Sequence, residues 1–185
     1  NLWHSKGVNR YSIGVQSFND EELQWMNRKH SGVQAEEAVK NLQDMGFENI
    51  SIDLIYGIPG SNMEGWEKNL KQAISLKVPQ ISANQLTVEP KTVLYNKVKN
   101  GQVVLVEDSL VVDQFNCLMD MLEKEGYEHY EISNFALPGY RSKHNTSYWT
   151  EKDFIGVGPS AHSYYKGKEG SYIREWNVSN NSKYI

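Results

Sequence analysis

Three side chains in the first third of the sequence could grip a polar ligand: Gln16, Arg28 and Asp53. Gln16 and Asp53 stand toward the C-terminal ends of two strand-like runs, RYSIGVQ (Arg10–Gln16) and NISIDLIY (Asn49–Tyr56). In parallel α/β architectures, ligands bind at that edge. Arg28, in MNRKH, follows the first run by a short helical turn and could fold back over the same edge as a clamp for a carboxylate. The plain alternative is a structural Asp–Arg pair. The GIPG turn at 57–60 offers backbone that a ligand can approach closely. It is not a phosphate-binding loop, because no Gly-Lys-Ser/Thr follows it.

A second group lies far along the chain. HNTSYW, His144 to Trp149, gathers an imidazole, an amide, hydroxyls and two aromatic rings. It reads as a turn-rich loop, and either Tyr148 and Trp149 anchor that loop or something flat binds there. His162 follows in FIGVGPSAHSYY, a short apolar run broken by glycines. The spacing of His129, His144 and His162 matches no standard zinc pattern. His4 and His30 read as exposed, satisfied surface histidines. Cys117 is the only cysteine, which excludes an internal disulfide and a cysteine zinc site. It sits in the helix-period stretch VVDQFNCLMDML as a buried, inert thiol.

The elements that must position these residues follow from periodicity. Arg10–Gln16, Asn49–Tyr56 and Gln80–Leu86 read as strands, each followed by a turn and a helical pattern. Their starts lie about 39 and 31 residues apart, which suits right-handed βαβ crossovers. No helix is evident before the first strand, and an acidic helix starts at Asp20. Ser31 and Gln34 are spaced as a capping box for a helix over about Val33 to Met45, ended by Gly46. Ser61 and Glu64 repeat the pattern before a helix to about Leu76. Pro90 opens a shorter helix to Asn100, and a longer one covers about Asp108–Lys124. The class is α/β, with a parallel sheet or part of a barrel.

Alternation within the strands carries more. Tyr11, Ile13 and Val15 share one face, with Ser12, Gly14 and Gln16 on the other. In the second strand Ser51, Asp53 and Ile55 oppose Ile50, Ile52, Leu54 and Tyr56, and in the third Ser82 and Asn84 oppose Ile81 and Ala83. Parallel strands buried on both sides should be almost continuously apolar. A small or polar face suits strands lining a ligand-holding lumen, or one on which small side chains let a neighbour approach. Asp53 demands more, because an unpaired buried carboxylate costs several kcal/mol.

With 39% hydrophobic and 23% charged residues and a net charge of −4, the composition is that of an ordinary globular protein. Mild acidity without a basic cluster argues against a nucleic-acid surface. No apolar run approaches the ~20 residues of a membrane span, and no charged-then-apolar leader opens the chain. A cytoplasmic protein fits best. The first residues run almost directly into a strand without an initiating methionine, as in a piece of a longer chain.

The motifs RYSIGVQSF, NRKHS, NISIDLIYGIPG, LTVEP, YEISNFALPGYRSKHNTSYW and FIGVGPSAHSY occur in this order. Together they resemble the radical S-adenosylmethionine (SAM) proteins related to oxygen-independent coproporphyrinogen III oxidase. HNTSYW points to the HemW-like branch, regarded as haem-binding chaperones. The resemblance implies the C-terminal part of a partial (β/α)6 TIM-like barrel. Residues 1–126 would supply its later βα units, and 127–185 its end and the start of a C-terminal region.

By the same resemblance Gln16, Arg28, Asp53, Thr87 and His162 match positions at SAM. His144 becomes a candidate haem-iron ligand, with Tyr148 and Trp149 against the porphyrin. Implied cofactors are SAM and, in a full-length parent, a [4Fe–4S] cluster; implied partners are haem or porphyrin and haem-acceptor proteins. The family's Cys-x3-Cys-x2-Cys motif is not among these residues, so the piece alone is expected to be inactive in radical chemistry. The parent would then be a haem-carrying chaperone or, alternatively, an oxidase that decarboxylates the propionates of coproporphyrinogen III.

Overall fold

Ser31 caps its helix from both sides: the Ser31 hydroxyl accepts the Gln34 N–H at 3.2 Å, and the Gln34 side chain accepts the Ser31 N–H at 2.9 Å. That predicted capping box opens the helix packed beside the first strand of the computed structural model, which describes residues 2–167 and 170–185. The chain forms two units, the first ending at Arg141 and the second starting at Ser142.

In the first unit the order is α1 (Leu2–Ser5), β1 (Tyr11–Gln16), α2 (Asp20–Trp25), α3 (Gly32–Asp44), β2 (Ile50–Tyr56), α4 (Met63–Ser75) and β3 (Gln80–Gln85). There follow α5 (Val93–Lys99), α6 (Asp108–Lys124), β4 (Glu128–Glu131) and β5 (Asn134–Ala136). One sheet runs β1-β2-β3-β5-β4. The β1–β2 and β2–β3 pairs are parallel, whereas β5 joins β3 and β4 antiparallel. The three parallel strands match their sequence pattern. The β4–β5 hairpin escapes it because two strands this short and polar carry no readable alternation.

The apolar strand face is the core. Val15, Ile50, Ile52, Leu54, Ile81 and Ala83 are buried, and Val39, Trp66, Leu70, Ala73, Leu118 and Leu122 pack with them from α3, α4 and α6. Each fully buried aliphatic side chain contributes about 1.5–3 kcal/mol relative to exposure.

Local signals fail at two helix starts. Asn62, not Ser61, caps α4, its side chain accepting the Gly65 N–H at 2.9 Å. The helix α5 begins at Val93 behind a Thr92 cap rather than at Pro90, because Lys91 takes a left-handed φ of 69° that interrupts any helix from Pro90. A single helical turn, α1, also precedes β1 where none was evident.

Ser61 is engaged elsewhere. Buried Gln114 of α6 donates to the Ser61 hydroxyl at 3.2 Å and accepts the Gly57 N–H at 2.8 Å. Its backbone carbonyl accepts the Trp66 indole N–H at 2.8 Å. One residue thus holds the GIPG turn, whose Gly57 and Gly60 have φ of 73° and 83°, at the end of β2.

The second unit contains α7 (Lys143–Trp149), the antiparallel strands β6 (His162–Lys166) and β7 (Tyr172–Trp176), and α8 (Asn181–Tyr184). Among the described residues no helix is long and apolar enough to cross a membrane.

Replacing Gln114 by Leu keeps most of the volume but strands the buried Gly57 N–H. The unfolding free energy should drop by about 1–3 kcal/mol, read as a lower urea midpoint. An unchanged midpoint would show that the turn does not depend on this bond.

Candidate functional site

Register places the polar residues of β1, β2 and β3 side by side. Ser12 pairs with Ser51, Asp53 with Ser82 and Ile55 with Asn84. The Ser12 hydroxyl lies 3.3 Å from each Asp53 carboxylate oxygen and donates to them. Burial pushes the Asp53 pKa up, opposed by the Ser12 hydrogen bond and the positive charge of Arg10. Arg10 in turn donates to Gln80 at 2.8 Å, and Gln80 donates to Asn49 at 2.7 Å. Asp53 is therefore a half-buried carboxylate with a hydroxyl donor and a cation that does not contact it directly.

Gln16 reaches this face by an unexpected route. The β1–β2 register shifts between Ile13 and Gln16, and Gln16 adopts a φ of 67°. Simple alternation fails across such a bulge. The side chain nonetheless folds back: its Nε2 lies 2.5 Å from the place a Cβ on Gly14 would occupy. Gly14 leaves room for the Gln16 amide on the side of Ser12 and Asp53.

Arg28 is exposed just beyond α2, where its backbone N–H donates to the Leu23 carbonyl at 2.8 Å. Among the described residues no ion pair or side-chain hydrogen bond joins it to Asp53, so the Asp–Arg pair is not the explanation of either residue. Its guanidinium faces solvent and is open to a ligand. Thr87 is exposed beyond the last residue of β3, so the alternation of that strand does not govern it.

Sequence reasoning missed the scaffold of this edge. Buried Ser17 donates to Glu22 and, at 3.1 Å, to Asn69; Asn69 accepts the Phe18 N–H at 2.7 Å and donates to Glu22 at 3.1 Å. His30, expected on the surface, is half-buried with Nε2 3.0 Å from the Val15 carbonyl. These bonds lock the chain leaving β1. The available signal was Asn69, a polar residue on the apolar stripe of α4.

In the second unit, HNTSYW is not a loop. Ser142 caps α7 by accepting the Asn145 N–H, and the Thr146 hydroxyl bonds back to the Ser142 carbonyl at 2.8 Å. Helical spacing then brings His144 and Tyr148 together, with the His144 Nε2 and the Tyr148 hydroxyl 3.1 Å apart. A series of ring contacts continues from Tyr148 to Phe154 at 5.0 Å, Phe154 to Tyr164 at 6.0 Å and Tyr164 to Tyr172 at 5.0 Å.

His144, Tyr148, Phe154, His162 and Arg174 line one cavity of about 520 Å³. His162 thus shares a cavity with His144, while Gln16, Arg28, Asp53 and Thr87 lie in the first unit. Trp149 does not line the cavity and is 58% exposed; one residue past Tyr148, it is turned about 100° around the helix. Among the described residues no group of His, Cys, Asp and Glu is arranged to hold a metal ion by itself. Cys117 is half-buried, its thiol pKa raised by burial and by the nearby Glu67 and Asp120 carboxylates, as an inert thiol requires.

Residues 2–73 match the radical SAM superfamily. The chain is 42% identical to the heme chaperone HemW of Lactococcus lactis over 160 residues, 86% of this chain and 42% of that protein. It is 39% identical to the Bacillus subtilis protein of the same name, over 87% of this chain and 42% of the relative. For the Escherichia coli protein, identity is 38% over 91% of this chain and 43% of the relative. The chain therefore spans about two fifths of the length of these relatives. Among solved structures it matches coproporphyrinogen III oxidase (HemN) from Escherichia coli, a radical SAM enzyme, with a TM-score of 0.70 and 24% identity. That match covers 86% of this chain and 39% of that one, and it gives the fold: a mixed α/β radical SAM architecture.

The raised pKa of Asp53 sets a pH test. Folding carries the cost of burying the charged form, so Asp53→Asn should unfold at the same or a higher urea midpoint near neutral pH. Because the folded pKa is the higher one, that cost is full above it. It fades as pH falls through the folded and then the unfolded value, and the gap between variants should close toward acid. A gap that widens toward acid would mean that the ionised form is the one the fold favours.

Proposed function

Because residues 2–73 match the radical SAM superfamily, we propose that the polar strand face holds SAM and that the second unit binds haem, as part of a cytoplasmic haem-binding chaperone. The donor set fits SAM. Asp53 can accept from ribose hydroxyls, the Gln16 amide can donate or accept beside it, and the exposed Arg28 guanidinium suits the methionine carboxylate. Thr87 is a further hydroxyl beyond β3. A [4Fe–4S] cluster, when bound, supplies an electron to SAM. Its cysteine set is not among these residues, and Cys117, a half-buried thiol with a raised pKa, does not fit that role.

Haem binding rests chiefly on one observation: His144 opens onto a cavity whose wall continues through Tyr148 and Phe154. An imidazole supplies an iron ligand, and aromatic side chains pack against a porphyrin. The Tyr148 hydroxyl lies 3.1 Å from Nε2, so ligation through that nitrogen requires the phenol to yield it. A chaperone would then pass the haem to an acceptor protein. The names of the 38–42% identical relatives support this reading over an oxidase, for which the likeness is one of fold.

Titration of haem into the protein, followed at the Soret band, tests it. The wild type should saturate, His144→Ala should weaken binding at least about tenfold, and Trp149→Ala, outside the cavity, should change it by less than about threefold. No Soret shift in the wild type would remove the haem role; His144→Ala binding like wild type would remove His144 as the ligand.

A further inference from the structure

The cavity beside His144 has a second chemical feature. It is lined by two imidazoles and by the Arg174 guanidinium, and among the described residues no other permanent cation and no carboxylate shares the lining. Such a wall favours an anionic ligand.

Arg174 is set there by the hairpin. It pairs with Tyr164 across β6 and β7, and His162 pairs with Trp176. Alternate strand residues share a face, so His162, Tyr164, Arg174 and Trp176 stand on one side. The Arg174 guanidinium carbon lies 6.0 Å from the centre of the Tyr164 ring, a contact that steadies the side chain. Among the described residues no carboxylate forms an ion pair with it. A guanidinium held in this way without an acidic partner is suited to bidentate capture of a carboxylate.

We propose that Arg174 is a specificity-determining residue of this cavity, binding a propionate carboxylate of haem while His144 takes the iron. This rests on the haem reading and adds what that reading lacks, the group that recognises the acidic edge of the macrocycle. His162 presents an imidazole and lacks the planar guanidinium fork, so it cannot offer a carboxylate the same paired contact.

The test compares haem with haem dimethyl ester, in which both propionates are masked, by Soret titration of the protein and its variants. Wild type should prefer haem by about tenfold or more. Arg174→Gln should lose that preference by weakening haem binding alone, leaving the diester as in wild type. Arg174→Lys, which keeps the charge but not the planar fork, should recover part of it. Equal weakening of both ligands in Arg174→Gln would mark a structural role and overturn the proposal, as would no change in either. His144→Ala separates the two levels. If it weakens both ligands while Arg174→Gln changes neither, the haem site stands and Arg174 is not part of it. If the wild type shifts the Soret band of neither ligand, the haem reading falls and this proposal with it.

Discussion

Burial of one strand face is the constraint from which the first unit follows. Val15, Ile50, Ile52, Leu54, Ile81 and Ala83 pack with α3, α4 and α6. Because successive side chains alternate, committing the odd face of β1 and the even face of β2 to this core fixes the rest. Ser12, Ser51, Asp53, Ser82 and Asn84 must share the opposite side. A one-residue slip would send Asp53 into the helices and Ile52 into the polar face. The apolar register therefore carries the polar constellation with it, at no separate cost in specificity.

That polar face is not neutral ground. Asp53 receives two long contacts from one hydroxyl and a through-space cation, which do not offset its lost hydration, so its pKa remains raised. Arg10 is tied to Gln80 instead, and its Nε is buried without a partner among the described residues. A fold selected for stability alone would join the two charges or replace them with apolar groups. Holding them apart leaves a carboxylate whose best partners would be the hydroxyls or amines of a ligand, and this supports a binding role for Asp53 better than any single distance does.

The parts legible in the sequence are those governed by local rules. Strand alternation located β1, β2 and β3, and the Ser31–Gln34 spacing located α3. What escaped depends on partners distant in the chain. Gln16 lies past a bulge that alternation cannot anticipate, and only the space above Gly14 shows where its amide goes. Asn62 displaced Ser61 as a cap because Gln114, more than fifty residues later, needed the serine hydroxyl. By composition HNTSYW resembles a loop, although Ser142 immediately before Lys143 is a cap that permits a helix. The grouping of His144 with His162 and Arg174 was not readable at all, since it needs the β6–β7 hairpin, whose residues mix aromatic and polar types without a clean period.

The helical form of HNTSYW also alters the chemistry of His144. In a loop the imidazole would be held by whatever packed around it. On α7 it is held by Tyr148 one turn later, whose phenol hydroxyl lies 3.1 Å from the His144 Nε2. In the proposed haem role, iron taken through Nε2 would have to displace a hydrogen bond worth about 0.5–1.5 kcal/mol, a small barrier to loading and an equally small aid to release. A carrier needs both steps to be reversible, whereas an enzyme holding a permanent prosthetic group gains nothing from such competition. The same Tyr148 ring, once freed, still packs against Phe154 and so remains in the cavity wall instead of turning out to solvent. Were haem bound here as proposed, the pairing of an imidazole with a displaceable phenol would suit transient binding better than permanent retention.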